Sequence, residues 1–287
     1  MTYPNPASSA PTGKELLRST WGLLKQDREL LWLPVLATFA ALLAFVVLFV
    51  PGFAIGYGLG NEDAGAVIGG ALAAVASTAV AIYFQAALVI GANQRADGGD
   101  PTFQGVLAEA WKLRTRILKW ALLAATVGAV IRAAEQRLGV IGKVLGFLGG
   151  VAWAIATFLV VPVLVSEDLG PIDAVKRSSQ VLKSTWGTSV RSTLRFGLIQ
   201  LVALVPIVVA IVAGVALISS ASTGAVAAGV VLLLVGILAI LALSMVASAV
   251  TGYARALIYR YATGAPVPGI STALLAGAFA PKKSSRF

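Results

Sequence analysis

The sequence predicts an all-α membrane protein in which six transmembrane helices form three tandem repeats, each a cytoplasmic interfacial helix followed by a transmembrane hairpin. The first observation behind this prediction is composition, because 58% of the 287 residues are hydrophobic and only 12% are charged. A water-soluble domain of this length cannot cover so much apolar surface with polar groups. The other observations are long runs without a charged residue and short similar motifs that precede them.

Uncharged runs predict the positions of the spans. Crossing about 30 Å of hydrocarbon takes roughly 20 helical residues, and the runs at residues 30–60, 64–94, 144–166 and 196–254 are long enough. The last run contains 59 residues, about 88 Å as one helix, so it must fold back, and we expect its turn within residues 219–224. The first run is too long for the hydrophobic region of a cleaved signal peptide and predicts a retained span.

The third span is the shortest, because only residues 120–131 are uncharged before a cluster of charges begins at Arg132. Hydropathy alone does not decide whether it crosses fully, but the basic residues favour a crossing. With six spans, 19 of the 22 Lys and Arg residues fall on one side of the membrane, which the positive-inside rule assigns to the cytoplasm. We therefore expect a plasma-membrane protein whose N-terminus and C-terminus are both cytoplasmic.

An internal repeat is visible in three short motifs. Residues 17–22 (LRSTWG) recur as residues 182–187 (LKSTWG), with a weaker copy at residues 107–112 (LAEAWK). In each copy a Leu precedes a Trp by four residues, which places both on one face of a helix. The repeat units cover about residues 11–95, 101–166 and 171–262 of a single membrane domain that ends in an interfacial segment and basic tail, 263–287.

The motif helices have the pattern of interfacial anchors. In the copy at residues 182–187, apolar residues from Ile172 to Val190 fall within an arc of about 80°, with three arginines on the far side. Such a helix lies in the interface, with Trp at headgroup depth and cations reaching lipid phosphates. A docking surface for a partner protein is the alternative. The predicted anchors are Trp21, Trp111, Trp186, Arg177, Lys183, Arg191 and Arg195.

Polar residues within the spans are candidates for a functional role. Arg132 and Glu135 share a helix face, and an intramembrane ion pair there would serve as a gate or proton relay, or would simply let an imperfect helix cross. Gln85, Asn93 and Gln200 would line a polar path or form interhelical hydrogen bonds.

Small residues recur at four-residue spacing in three places. These ladders are Gly52, Gly56 and Gly60; Gly142, Gly146 and Gly150; and Ser244, Ser248 and Gly252. Such spacing lets helix backbones approach closely inside a membrane. It predicts tight packing within the chain, with a homo-oligomer as the alternative.

Composition also argues against most catalytic chemistry. The chain contains no Cys and no His, the usual thiolate nucleophile and the commonest metal ligand, so we expect no enzyme, no metal and no cofactor. Its net charge of +10 lies next to apolar spans instead of on a soluble basic face. The expected partners are therefore anionic lipid headgroups on the cytoplasmic side, and not nucleic acid.

One stretch carries a resemblance to a known group of proteins. Residues 161–167 (VPVLVSE), followed by Gly170 and Pro171, Arg177 and the motif at 182–187, resemble uncharacterised multi-pass membrane proteins classed as a domain of unknown function. More distantly, the chain is similar to the membrane domain found ahead of some bacterial glycerophosphodiester phosphodiesterases. Their soluble catalytic domain is not in this sequence, so the resemblance implies a fold and a membrane location but no activity.

Two functions are favoured by these predictions, and an intramembrane enzyme is a third, which the missing His and Cys disfavour although carboxylates alone can serve as acid and base. The first is a non-enzymatic membrane accessory or scaffold protein with a basic, lipid-facing cytoplasmic side, bound to a membrane protein partner or to a second copy. The alternative is a transporter or lipid-handling carrier with a path between the helical repeats. A polar cavity lined by Gln85, Asn93 or Gln200 favours the carrier, whereas a tightly packed interior favours the scaffold.

Overall fold

The structure, a computed structural model, describes residue 22 and residues 27–137, 139–186, 190–219 and 222–265, without the side chains of residues 28, 140, 184–186 and 190–203. Helices occupy most of the described residues, which contain no strand. After a short 3-10 helix, Arg28–Trp32, the helices are α1 Leu33–Gly58, α2 Glu62–Ala96, α3 Phe103–Lys112, α4 Arg114–Arg137, α5 Gly139–Ala156, α6 Val160–Ser166, α7 Pro171–Trp186, α8 Val190–Ile218 and α9 Thr223–Ala262.

Among the described residues, five helical segments are long and apolar enough to cross a membrane, and they confirm the all-α class. They are Glu29–Gly58, Glu62–Ala96, Arg114–Arg137, Ile141–Ser166 and Thr223–Ala262. The third predicted span is thus a helix of 24 residues, longer than its uncharged stretch. Helix α8 has 29 residues, but its side chains are described only from Leu204 to Ile218, and this stretch alone is shorter than a crossing requires. The six-span arrangement therefore stays a prediction.

The chain reverses direction where the sequence has turn and capping residues. Gly60 has a positive φ of 72°, which suits glycine, and closes the turn after α1. The side chain of Asn61 then accepts a hydrogen bond from the Ala64 amide at 3.0 Å and caps α2. The turn expected within residues 219–224 is confirmed, because α8 ends at Ile218 and α9 begins at Thr223.

The order of short and long helices agrees with two of the proposed repeat units. The short helix α3 precedes α4 and α5, and α7 precedes α8 and α9. Within these units α4 packs along α5 and α8 packs along α9, while α1 packs along α2 in the first unit. Residues 17–21 of the first motif, including Trp21, and residues 266–287 of the C-terminal segment lie outside the described residues. The internal repeat therefore stays a prediction.

Glycines join α1 to α2 at backbone contact. A Cβ atom on Gly56 would lie 2.3 Å from the Cα of Gly65, and one on Gly52 would lie 2.5 Å from the Cα of Gly69. Packing within the chain is confirmed for these two members of the first ladder. The second ladder is used only in part, since Gly146 lies against Glu135 while nothing comes within 4 Å of a Cβ on Gly150.

Buried residues gather at one end of the bundle, which we call the base. They include Leu33 at the start of α1, Leu88 near the end of α2, Trp120 near the start of α4, Leu164 near the end of α6 and Tyr253 near the end of α9. Helices that run in opposite directions contribute opposite ends, as expected for hairpins. Away from the base many large apolar side chains are exposed, which is the surface expected of helices in lipid.

The glycine contact predicts a sharp difference between neighbouring positions. Gly56→Ala should destabilise the protein by about 2 kcal/mol, because the new methyl group must push the α2 backbone away. Gly58→Ala is the control, since nothing lies within 4 Å of its Cβ position. Thermal unfolding of both variants in detergent measures the effect, and equal midpoints would contradict this packing.

Candidate functional site: a polar cavity beside the ion-paired base

A buried carboxylate joins three distant parts of the chain at the base. Asp27 is only 5% exposed. The Nε of Arg95 donates to its two oxygens at 3.0 and 3.1 Å, and the Tyr253 hydroxyl donates to Oδ2 at 3.0 Å. Arg95 also pairs with Asp100. The charge of Asp27 is therefore neutralised and hydrogen-bonded, as burial of a carboxylate requires.

Glu167, just after α6, is the centre of a second cluster. The Nε of Arg177 donates to its Oε1 at 2.8 Å, and the Tyr259 hydroxyl donates to the same oxygen. Partial burial raises the pKa of the Glu167 carboxyl, but the hydrogen bonds from Tyr259 and Arg177 outweigh it and hold the pKa below its usual range. The ionised form thus ties α7 and α9 to the end of α6.

Two more ion pairs complete the base. Arg260 on α9 bonds Asp97 after α2, with Nη1 at 3.2 Å from Oδ2. Arg116 on α4 pairs with Asp168 and donates to the Glu167 carbonyl at 3.3 Å. Each pair connects segments far apart in sequence, so the base holds the ends of separate hairpins together.

The fourth predicted span is interrupted close to the base. Helix α5 ends at Ala156 and α6 begins at Val160, just before Pro162, whose missing N–H cannot continue the helical hydrogen bonds. Helix α7 supplies a hydrogen-bond partner at the break, because the buried Leu159 amide donates to the buried Ser178 hydroxyl at 3.1 Å. The interruption is therefore a fixed feature of the packed core.

A cavity of about 390 Å³ lies between α2, α6 and α9 beside this break. Ser244, Ser248, Thr251 and Arg255 line it from one face of α9, because their spacing of four, three and four residues follows the helical period. Gln85 on α2 adds an amide. The apolar lining consists of Val89, Val161, Ala247 and the backbone at Gly252. A polar face within a long apolar helix is thus directed at an open space.

Arg255 is the charged group of the cavity. Its guanidinium carbon lies 4.9 Å from the ring centroid of Phe158, which belongs to the break between α5 and α6. Its Nε is buried, and no hydrogen-bond acceptor among the described residues meets it. The cavity therefore presents an unmatched cationic donor.

Comparison with known proteins gives a family. A family model described as a family of unknown function, DUF6159, matches residues 66–268, more than two thirds of the chain. The chain belongs to this family. The DUF6159 region includes every residue that lines the cavity, whereas Asp27 lies before it. No curated protein and no solved structure matches the chain, so the resemblance to the phosphodiesterase membrane domain stays a prediction.

The predicted anchors of this DUF6159 member are only partly described. Trp111 is 61% exposed and meets Tyr83 edge to face, with ring centroids 6.2 Å apart. Lys183 is exposed, while Arg177 bonds Glu167 and so has a protein partner. Outside the described side chains lie Trp21, Trp186, Arg191 and Arg195. The anchoring role stays a prediction.

Helix α7 also packs differently from the predicted amphipathic arc. Ala174, Ser178, Val181 and Leu182 are buried against protein, whereas Ile172 is exposed. The apolar arc that we expected to face lipid is therefore divided, because Leu182 is buried in the base while Ile172 is exposed.

The predicted intramembrane groups separate in the structure. Arg132 is exposed and Glu135 faces Gly146 of α5, and the ion pairs of the described residues do not join the two. Gln85 lines the cavity. Asn93 does not, but its Oδ1 is buried with no partner among the described residues. Gln200 falls among the side chains that the structure does not describe.

Sequence reasoning missed Arg255, Asp27 and Tyr253. The predicted sixth span stopped at the last uncharged residue, so Arg255 was counted with the cytoplasmic segment, whereas α9 continues to Ala262. The helical spacing from Ser244 to Arg255 was a usable signal. The sequence contains no comparable signal for Asp27, because its contact with Tyr253 joins residues that are 226 positions apart.

The Glu167 cluster predicts a stability that depends on pH. Because its folded pKa is lowered, the carboxylate stabilises the protein above its usual pKa, and this contribution disappears as the pH falls through the folded pKa. Glu167→Gln should cost about 1 kcal/mol near pH 7 and less near pH 3, where the carboxylate begins to be protonated, after allowance for partial exposure. Unfolding midpoints at both pH values measure this.

The exposed Glu29 provides a matched control. Glu29→Gln removes the same charge and should leave the midpoint nearly unchanged at both pH values. A Glu167→Gln deficit that is equal at both pH values would contradict the ionised cluster.

Proposed function

We propose that this DUF6159 protein is a non-enzymatic accessory protein of the plasma membrane, with six crossings and both termini in the cytoplasm. In this proposal the base lies at the cytoplasmic side and holds anionic lipid headgroups around it. The observation that carries the proposal is the asymmetry between the two ends of the bundle. One end is packed and rich in ion pairs, whereas the helices elsewhere expose apolar side chains.

Exposed basic residues around the base support the lipid partner. Lys112, Lys119 and Lys183 are exposed, and the ion pairs found among described residues do not use them. Anionic lipids of the cytoplasmic leaflet attract such residues by about 1 kcal/mol each. The ion-paired arginines fix the fold, which leaves these lysines for the membrane surface.

The non-enzymatic assignment rests on residue chemistry. The chain has neither His nor Cys. Within its described part, no group of three or more metal-ligating side chains is brought together. The carboxylates of the base are engaged in ion pairs, which is a structural use.

A lipid-handling carrier is the second candidate, and the cavity favours it. Of the two predicted path residues whose side chains the structure describes, Gln85 lines this cavity and Asn93 does not, and the interior near α9 is not tightly packed at this place. Protein-dependent movement of a labelled lipid across vesicle membranes would select the carrier over the accessory protein.

The accessory role predicts that lipid retention depends on the lysines near the base. The variant Lys112→Gln, Lys119→Gln, Lys183→Gln should co-purify with several-fold less anionic lipid, given about 1 kcal/mol per residue. Mass spectrometry of the protein extracted in mild, uncharged detergent measures the bound lipid.

The matched control removes three charges from the opposite end. Arg132, Arg137 and Lys143 are all exposed there, and their replacement by Gln should leave the retained anionic lipid unchanged. Equal retention by the two triple variants would contradict the proposed orientation and partner.

A further inference from the structure

Arg255 differs from the other arginines near the base. Each of Arg95, Arg116, Arg177 and Arg260 pairs with a carboxylate. Arg255 is in none of the ion pairs that the described residues form, and its Nε is buried without an acceptor. The Arg255 side chain is partly buried, and withdrawal of a guanidinium from water is costly when it has no counter-ion. The face of Phe158 compensates for only part of this cost, because a cation–π contact does not satisfy an N–H group.

The space in front of Arg255 has the properties of an anion site. The described residues that line it include no acidic side chain, so Arg255 gives this lining a net positive charge. Hydroxyl groups of Ser248 and Thr251 and the amide of Gln85 provide hydrogen-bond donors around it. Its volume, about 390 Å³, is within the range of small-molecule pockets.

We propose that this cavity binds a phosphate group, with the Arg255 guanidinium pairing with the anion and the surrounding polar side chains donating hydrogen bonds. A planar guanidinium donates two parallel hydrogen bonds to phosphate oxygens, which gives geometry as well as charge. The site is single and saturable, unlike the diffuse lysine surface. This proposal depends on the proposed function in one respect only, which is that the cytoplasmic leaflet supplies the lipid.

The phosphate belongs to a lipid headgroup or to a free ion. Ser244 is exposed and lies about 16 Å along α9 from Arg255, so the cavity is open at the end away from the base. This opening faces the apolar surroundings of the spans, where acyl chains would extend. The experiment distinguishes the two sources.

The test uses the full chain, purified without lipid in an uncharged detergent. Calorimetric titration is carried out separately with inorganic phosphate, with dihexanoyl phosphatidic acid, and with dihexanoyl phosphatidylcholine as the net-neutral control. We expect saturable binding of phosphatidic acid. In Arg255→Gln this binding should be at least ~10-fold weaker, which corresponds to one lost charged hydrogen-bonding partner. Arg132→Gln removes an exposed arginine elsewhere and should bind like the parent protein.

The possible outcomes distinguish a lipid phosphate from a free phosphate, and they distinguish failure of the phosphate site from failure of the accessory role. Binding of inorganic phosphate as well identifies a free phosphate site, whereas binding of phosphatidic acid alone identifies a headgroup site. Absence of saturable binding by either probe, or unchanged binding by Arg255→Gln, would overturn the proposal. Weakened binding in Arg255→Gln together with equal lipid retention by the two triple variants would uphold the site and reject the accessory role.

A second variant keeps the proposal testable if Arg255→Gln does not fold. Ser248→Leu fills the cavity while it leaves Arg255 in place, and it should also abolish saturable binding. In the absence of ligand, Arg255→Gln should unfold at the same temperature as the parent or higher, because it removes a poorly matched charge. If Arg255→Gln does not fold, unchanged binding by Ser248→Leu would still overturn the proposal.

Discussion

The base depends on the interaction of the buried Asp27 carboxylate with Arg95 and Tyr253. Asp27 lies before α1, yet it is bonded by Arg95 at the end of α2 and by Tyr253 near the end of α9. An unpaired carboxylate in this position would cost several kcal/mol. The ends of the first and last hairpins must therefore stay together for the charge to be satisfied.

The rest of the architecture follows from where polar groups can be accommodated. Hydrocarbon offers no partner for a charge, so four arginines of the described residues pair with carboxylates at the base, and the spans beyond it are apolar. Within the apolar spans, α1 and α2 associate through backbone contact at Gly56 and Gly65. Arg255 is the exception, since it is charged, close to the base and directed at a cavity. Its Nε has no acceptor among the described residues, and the proposed phosphate group would supply one.

Local features were predictable from the sequence, and long-range contacts were not. The absence of charge predicted the spans, and the polar residues near Ser222 predicted the turn before α9. The spacing of Arg132 and Glu135 allowed an ion pair, but the space at Gly146 receives the Glu135 side chain instead. The carboxylate partners of the base come from other hairpins, and one sequence contains no signal that pairs them. Gln85 was predicted as a path residue because it is polar within a span, while Arg255 was missed because charge was taken to end the helix.

We propose that the hairpins share one base on the cytoplasmic side, and the absence of cysteine makes this topology directly measurable. Single cysteines at Ser222, before α9, and at Lys183, on α7, can be labelled with a membrane-impermeant maleimide in intact cells. The account predicts that Ser222→Cys is labelled from outside and that Lys183→Cys is labelled only after permeabilisation. Labelling of Lys183→Cys in intact cells, or protection of Ser222→Cys, would contradict it.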